Sequence, residues 1–191
     1  LASILGVQPK ISRKSELFKT DAAFSRLILT TNFDPFLQTA LQLVNQLYFM
    51  TDPTELGEMG VNDLFDAYAD AIHLVYVHGS VHRRFQVASE DSILEIKKKN
   101  ADKLADILKC HGVIVIGYSG WDDAIVEALA KCDSFDHHLI WCGLESDPLT
   151  KGAFGPRVPE ILNKSTASYV QIKSAGTFMA KLCGELVKGL P

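Results

Sequence analysis

Ten consecutive residues hold the most suggestive chemistry of the chain: Leu27-Ile28-Leu29-Thr30-Thr31-Asn32-Phe33-Asp34-Pro35-Phe36. An apolar strand runs out into a polar turn, and the turn starts a helix. Asn32 carries a donor and an acceptor without a charge, which suits it to holding a hydroxyl or a water in place. Asp34 is expected to cap the helix and Pro35 to be its first residue. The residue before a proline avoids the helical region, as a cap does. Thr30, Thr31 and Asn32 then stand at the carboxyl end of the strand, where open α/β sheets bind ligands.

The other apolar runs end in similar turns: His78-Gly79-Ser80, Gly117-Tyr118-Ser119, Cys142-Gly143 and Ala175-Gly176-Thr177. In a parallel sheet all of these share one edge. Small residues there let backbone N–H groups approach a ligand, and helix N-termini favour phosphate, so a nucleotide is the implied ligand. Several alternatives fail on spacing. Gly117-Tyr118-Ser119-Gly120 departs from the nucleophile elbow because Trp121 stands at its fifth position. The dinucleotide fingerprint and the P-loop lysine motif are both missing. Taken singly, each motif is weak: Asn32 could simply cap a turn, and a His-Gly pair after a strand is often structural.

The elements that must position these residues follow from periodicity. Strands are predicted at Leu27 to Thr31, Ile72 to Val77, Val113 to Ile116, His137 to Cys142 and Ala167 to Ile172. Val113 to Ile116 is so β-branched that burial on both faces is expected. Phe36, Leu37, Ala40, Leu41, Val44 and Leu47 recur at helical spacing and predict a helix running to about Tyr48. A second helix is expected from Glu90 with Ser89 as its cap, divided at Asn100. Further helices are expected through Ile125 to Ala130, within Gly155 to Lys164, and after a turn at Ser174 to Thr177. The last carries Phe178, Met179, Leu182, Cys183, Leu186 and Val187 along one stripe. Thr51 to Asp70, acidic and broken by Pro53, Gly57 and Gly60, reads as a solvated connection with a short helix around Leu64 to Tyr68. Strands alternating with helices imply a three-layer, Rossmann-like α/β architecture, a parallel sheet with helices on both faces.

Composition agrees. The 191 residues are 47% hydrophobic, enough for one domain with a real core. A net charge of −4 makes phosphate-backbone binding to nucleic acid a poor expectation. No apolar run approaches the roughly 18 residues of a membrane span, and no signal peptide is visible. Cys110, Cys132, Cys142 and Cys183 form no C-x-x-C pair, and for Cys132, Cys142 and Cys183, in apolar surroundings, buried thiols in a reducing cytoplasm are expected rather than metal or disulfide roles. Lys97-Lys98-Lys99 reads as a solvated helix face. The opening Leu1-Ala2-Ser3-Ile4-Leu5 resembles the tail of a helix already under way, as in a piece of a longer protein.

In combination and in order, T-T-N-x-D after one strand, H-G after the next and G-Y-S-x-x-D after a third resemble the sirtuin-like NAD-binding family. The likeness is closer to its bacterial branch of NAD hydrolases, often parts of antiphage defence proteins. It covers roughly Leu1 to Val187. The resemblance implies that Asn32 holds the nicotinamide ribose and an attacking water, that Asp34 supports the loop, and that His78 is the general base. Gly117, Tyr118 and Ser119 would line the phosphate and ribose pocket, with Thr30, Thr31, Phe33 and Gly79 as further cofactor-binding residues. Cys142-Gly143 and Gly176-Thr177 would edge the adenosine. A histidine of ordinary pKa, about 6.5, suits a base near neutral pH. The reaction consumes NAD as substrate and needs no metal.

Two departures from the family qualify that implication. Its usual opening strand and Gly-Ala-Gly loop, which cradle the pyrophosphate, do not precede Leu27. Either the segment lies upstream, leaving residues 1–191 as one domain shortened at its N-terminus, or this piece is not a competent enzyme alone. The four-cysteine zinc module of protein-deacylating members is also missing. The expected function is therefore NAD hydrolysis to nicotinamide and ADP-ribose. The alternatives are a non-catalytic module binding NAD or an ADP-ribose derivative, or supporting assembly, and a zinc-free deacylase. Further domains of a longer protein, and copies of itself, are the expected protein partners.

Overall fold

The computed structural model describes residues 26–59, 71–79, 90–121, 123–148 and 152–188. The expected helix at Leu64 to Tyr68, the turn residue Ser80, the cap Ser89, and Asp122 lie outside them, as do the side chains of Ile93, Cys183, Leu186 and Val187. The chain divides into two compact units, one of residues 1–86 with 176–191 and one of residues 87–175.

In the first unit, β1 (Leu27–Thr30), β2 (Tyr48–Thr51) and β3 (Ile72–Tyr76) form a parallel sheet in the order β1-β3-β2. Central β3 is buried along its whole length. Its register sets Thr30 opposite Tyr76 and Thr51 opposite Val75. Helix α1 (Phe36–Leu43) lays Leu41, with Leu37 and Val44, over a face made by Ile72, Leu74 and Tyr76. Burying a side chain such as Leu41 is worth about 1.5–3 kcal/mol, so this contact fixes the helix on the sheet. Phe36 does not take part: it is 75% exposed.

The helix expected to reach Tyr48 stops at Leu43. Asn45 adopts a left-handed φ of 53°, a conformation asparagine tolerates and one that ends helices. The Gln46 N–H then donates to the Leu41 carbonyl at 2.9 Å. This releases Tyr48-Phe49-Met50-Thr51, rich in strand-forming side chains, to pair with β3. The connection expected from Thr51 begins instead with α2 (Pro53–Glu58). Asp52 accepts from the N–H groups of Thr54 and Glu55, while its own N–H donates to the Glu55 carboxylate at 3.0 Å. That capping box followed by a proline is a strong helix start.

In the second unit, α3 (Glu90–Lys109) leads to β4 (Val113–Ile116), α4 (Ala124–Lys131), β5 (Leu139–Gly143), α5 (Val158–Leu162) and β6 (Ala167–Gln171). The three strands are parallel in the order β4-β5-β6. Helix α3 is continuous, and Asn100, expected to divide it, is buried within it. Ala101, Leu104 and Ile107 of α3 and Val126, Ala128 and Leu129 of α4 are buried where these helices pack together. In β4 only Val115 is buried and its neighbours are half-buried. Complete burial of that strand, expected from its β-branched residues, does not hold, because β4 stands at the edge of its sheet.

Asp123 caps α4, accepting from the N–H groups of Ile125 and Val126 at 2.8 and 3.0 Å. At the other end Lys164 donates to the carbonyls of Leu129, Ala130 and Cys132, satisfying acceptors that the helix leaves open. The chain's last described helix is α6 (Ala175–Lys188). The parallel α/β class read from the sequence holds, with the strands paired as two three-stranded sheets flanked by helices. No helix among the described residues is long and apolar enough to cross a membrane.

Candidate functional site

The first unit brings the Thr-Thr-Asn-Phe-Asp turn and the His-Gly turn to the carboxyl ends of two adjoining parallel strands, β1 and β3. Buried Thr30 turns the chain out of β1, its hydroxyl accepting the Asn32 N–H at 3.1 Å. Thr31 is half-buried, and Asn32 stands exposed. Phe33 is 53% exposed, and its ring centroid lies 6.1 Å from that of His78. His78 is exposed, while Gly79 beside it is buried at a φ of 88° that favours glycine. The Val77 N–H donates to the Thr30 carbonyl at 3.0 Å, which ties the two turns together where the sheet ends.

Asp34 does not occupy the cap position expected for it. Helix α1 begins at Phe36 with Pro35 as its N-cap. The Asp34 carboxylate accepts the Phe36 N–H at 3.0 Å, an Asx-type turn one residue ahead of the helix. Its role in the turn remains, shifted by a residue because Pro35 supplies the carbonyl that receives the first helical bond, from the Thr39 N–H at 2.9 Å.

Two residues overlooked in the sequence support this turn from below. Tyr76, the last residue of β3, is 1% exposed, and its hydroxyl donates to the Asp34 carbonyl at 3.0 Å. Gln38, buried on α1, donates its side-chain amide to the same hydroxyl at 3.1 Å. Burial pushes the Tyr76 phenol above its ordinary value, against a smaller lowering by the Gln38 bond. The phenol therefore keeps its proton. The only sequence signals were a polar residue on the apolar face of α1 and a tyrosine closing an apolar strand.

The second unit holds Gly117, Tyr118 and Ser119 in the turn after β4. Gly117 is exposed at a φ of 68°, and a Cβ built on it would meet no atom within 4 Å. Its backbone is thus open to an approaching group. The rest of the turn is clamped. The Tyr118 ring stacks on Trp141 at 5.7 Å, and the Ser119 carbonyl accepts the Gly155 N–H at 2.8 Å. A Cβ on Gly120, at a φ of 73°, would collide with Val158 and Trp141, and one on Gly155 would collide with the Gly120 backbone. The sequence had marked neither Trp141 nor the segment at Phe154-Gly155. A second Gly that admits the backbone of the first was the readable clue.

Cys142 and Gly143 are both buried within β5. Burial pushes the Cys142 thiol above its ordinary value, and the thiol is free. Gly143 makes room for Phe154 and Tyr169, whose rings would meet any Cβ there. Phe154 in turn lies edge-on to Trp141 and Tyr169. Gly176 and Thr177, expected in a turn, are exposed residues in the first turn of α6, because the helix already starts at Ala175. Among the described residues no group of three or more His, Cys, Asp or Glu could hold a metal ion.

Comparison with known proteins gives a family. The profile of the SIR2-like domain matches residues 26–151. No curated protein matches the chain. The matched span takes in the Asn32 and His78 turns, the Gly117 turn and Cys142-Gly143, and ends before Gly176. On that match, which covers more than half of its length, the chain belongs to the SIR2-like domain family.

Proposed function

We propose that this domain hydrolyses NAD, releasing nicotinamide and ADP-ribose. The observation that carries the proposal is the placing of Asn32 and His78 at the ends of adjoining strands, with Phe33 against the His78 ring, in a chain of a family that uses NAD. The exposed polar side chains of Asn32 and His78 suit the ribose and water of the reaction.

In the proposed step, Asn32 orients a water against the anomeric carbon of the nicotinamide ribose. The bond from that carbon to the nicotinamide nitrogen breaks and its electron pair leaves with the now neutral nicotinamide. Water oxygen bonds to the carbon, and the proton it loses passes to the His78 imidazole. Positive charge developing on the ribose needs a positioned nucleophile and a base, which these two side chains supply. Phe33 offers apolar surface beside the reacting end. Thr30, Thr31, Asp34 and Gly79 shape the turns of the first unit that carry this pair. An NAD-consuming domain of this kind fits a role in antiphage defence.

The test is to incubate the full-length protein with NAD in oxygen-18 water. Nicotinamide release together with ADP-ribose carrying one heavy oxygen is the expected result. NAD binding by calorimetry without any product would identify a binding module instead. Nicotinamide release that depends on an acetylated peptide would identify a deacylase.

A further inference from the structure

We infer that Tyr76 is a positioning residue for the proposed reaction, its hydroxyl locking the Asn32 turn at a fixed distance from His78, with Gln38 aiming that hydroxyl. The inference rests on the proposed NAD hydrolysis and names residues that the Asn32 and His78 motifs do not include.

Tyr76 is attached to both halves of the reacting pair. Through the backbone it lies two residues before His78, at the end of the strand from which that turn departs. Through the side chain it reaches across to the Asp34 carbonyl, two residues beyond Asn32, at 3.0 Å. The register adds a second tie, since Tyr76 pairs with Thr30 and the Thr30 hydroxyl holds the Asn32 N–H. One buried ring thus spans from the base to the loop of the water-holding amide.

Gln38 settles the direction of the bond. A phenol has a single proton and can also accept. The Gln38 amide N–H already donates to the Tyr76 oxygen, so the phenolic proton is left for the Asp34 carbonyl. Had the amide turned its oxygen toward Tyr76, two acceptors would compete for one proton, and one would stay unpaired in a buried place. Each bond also polarises the next, which strengthens a short chain of this kind. The carbonyl of Asp34 needs this donor because it precedes Pro35 and lies outside the α1 bonding pattern.

The test uses Tyr76→Phe, which removes the hydroxyl and keeps the ring, with Gln38→Leu and the double variant, all in the full-length protein. Two readouts are followed. The first is exchange of the hydrogen-bonded amides of Asn32 and Phe36 relative to the amides of β3. Tyr76→Phe is expected to speed the turn amides by about tenfold, the factor that goes with leaving one partly buried acceptor without its partner, and to leave β3 unchanged. The second is the steady-state rate of nicotinamide release. The kcat is expected to fall about tenfold or more, as for a misplaced reacting group, with KM for NAD moving less than about threefold. Gln38→Leu should fall less, and the double variant should be no worse than Tyr76→Phe alone, since Gln38 acts through the hydroxyl.

Exchange unchanged in Tyr76→Phe overturns the inference whatever the activity. Faster exchange with unchanged kcat also overturns it, because the turn would then be loosened without consequence. A wild-type protein that releases no nicotinamide defeats the proposed hydrolysis, and the exchange readout still decides whether Tyr76 holds the turn. Uniformly faster exchange through β3 marks Tyr76 as a general fold residue and counts against a positioning role.

Discussion

The ring of Phe33 lies 6.1 Å from the ring of His78 at an interplanar angle of 36°. The two residues leave neighbouring strands, so the contact forms only because β1 and β3 end at the same level of one sheet. Phe33 is more than half exposed, so it contributes little to the core. Phe33→Ala is expected to leave the denaturation midpoint nearly unchanged while raising KM for NAD about three- to tenfold, the range of one aromatic contact. Steady-state nicotinamide release checks this. An unchanged KM would remove Phe33 from the substrate side of the turn.

Gly117 and Gly120 separate two demands on glycine in one turn. Both have a positive φ, but only Gly120 is also crowded. Gly117→Ala is expected to cost about 1–2 kcal/mol, the strain of a left-handed residue. Gly120→Ala adds overpacking against Val158 and Trp141 of about 1–3 kcal/mol. Urea midpoints at constant slope should rank Gly120→Ala below Gly117→Ala. The reverse order would contradict the clamp between this turn and the Gly155 segment.

His73 is the second residue of β3, 4% exposed, against Phe49, with neither ring nitrogen hydrogen-bonded. Burial lowers its pKa from the ordinary 6.5. The folded state therefore holds this ring neutral at a pH where the unfolded chain has begun to protonate it. Stability from His73 is fully present above about pH 6.5 and is lost as the pH falls toward the lowered folded value. Urea midpoints measured from pH 7.5 down to 5 should fall more steeply in wild type than in His73→Phe. Equal slopes would show that His73 does not stay neutral in the fold.

The cap on α4 gives a stability test away from the reacting pair. Asp123→Ala removes the acceptor for two N–H groups and is expected to cost about 1 kcal/mol. Asp123→Asn, which keeps a capping oxygen, should cost a few tenths. Thermal midpoints decide it, and two equal losses would mean that charge rather than capping is at work.

Local chemistry was legible in the sequence, and distant contact was not. β1, β3 and β4 stood out as apolar runs, and Asn32 and His78 stood out at their ends. Strand β2 was hidden because Leu47 and Tyr48 continue the helical spacing of α1. The left-handed Asn45 that separates them is a stop signal that asparagine sends only weakly. Tyr76 and Gln38 were invisible as a pair, since their hydrogen bond joins residues 38 apart in the chain. Gly143 was read as a ligand contact, and its missing side chain also leaves room for Phe154 and Tyr169. That requirement comes from two later segments and leaves no trace in the motif itself.

The most direct measurement is the rate of nicotinamide release from NAD by the full-length protein, compared with His78→Ala and Asn32→Ala. A positioned general base contributes about 10²–10⁴-fold, so His78→Ala should lose at least about 100-fold, and Asn32→Ala should also fall sharply. Wild type and both variants turning over NAD at the same rate would contradict the account.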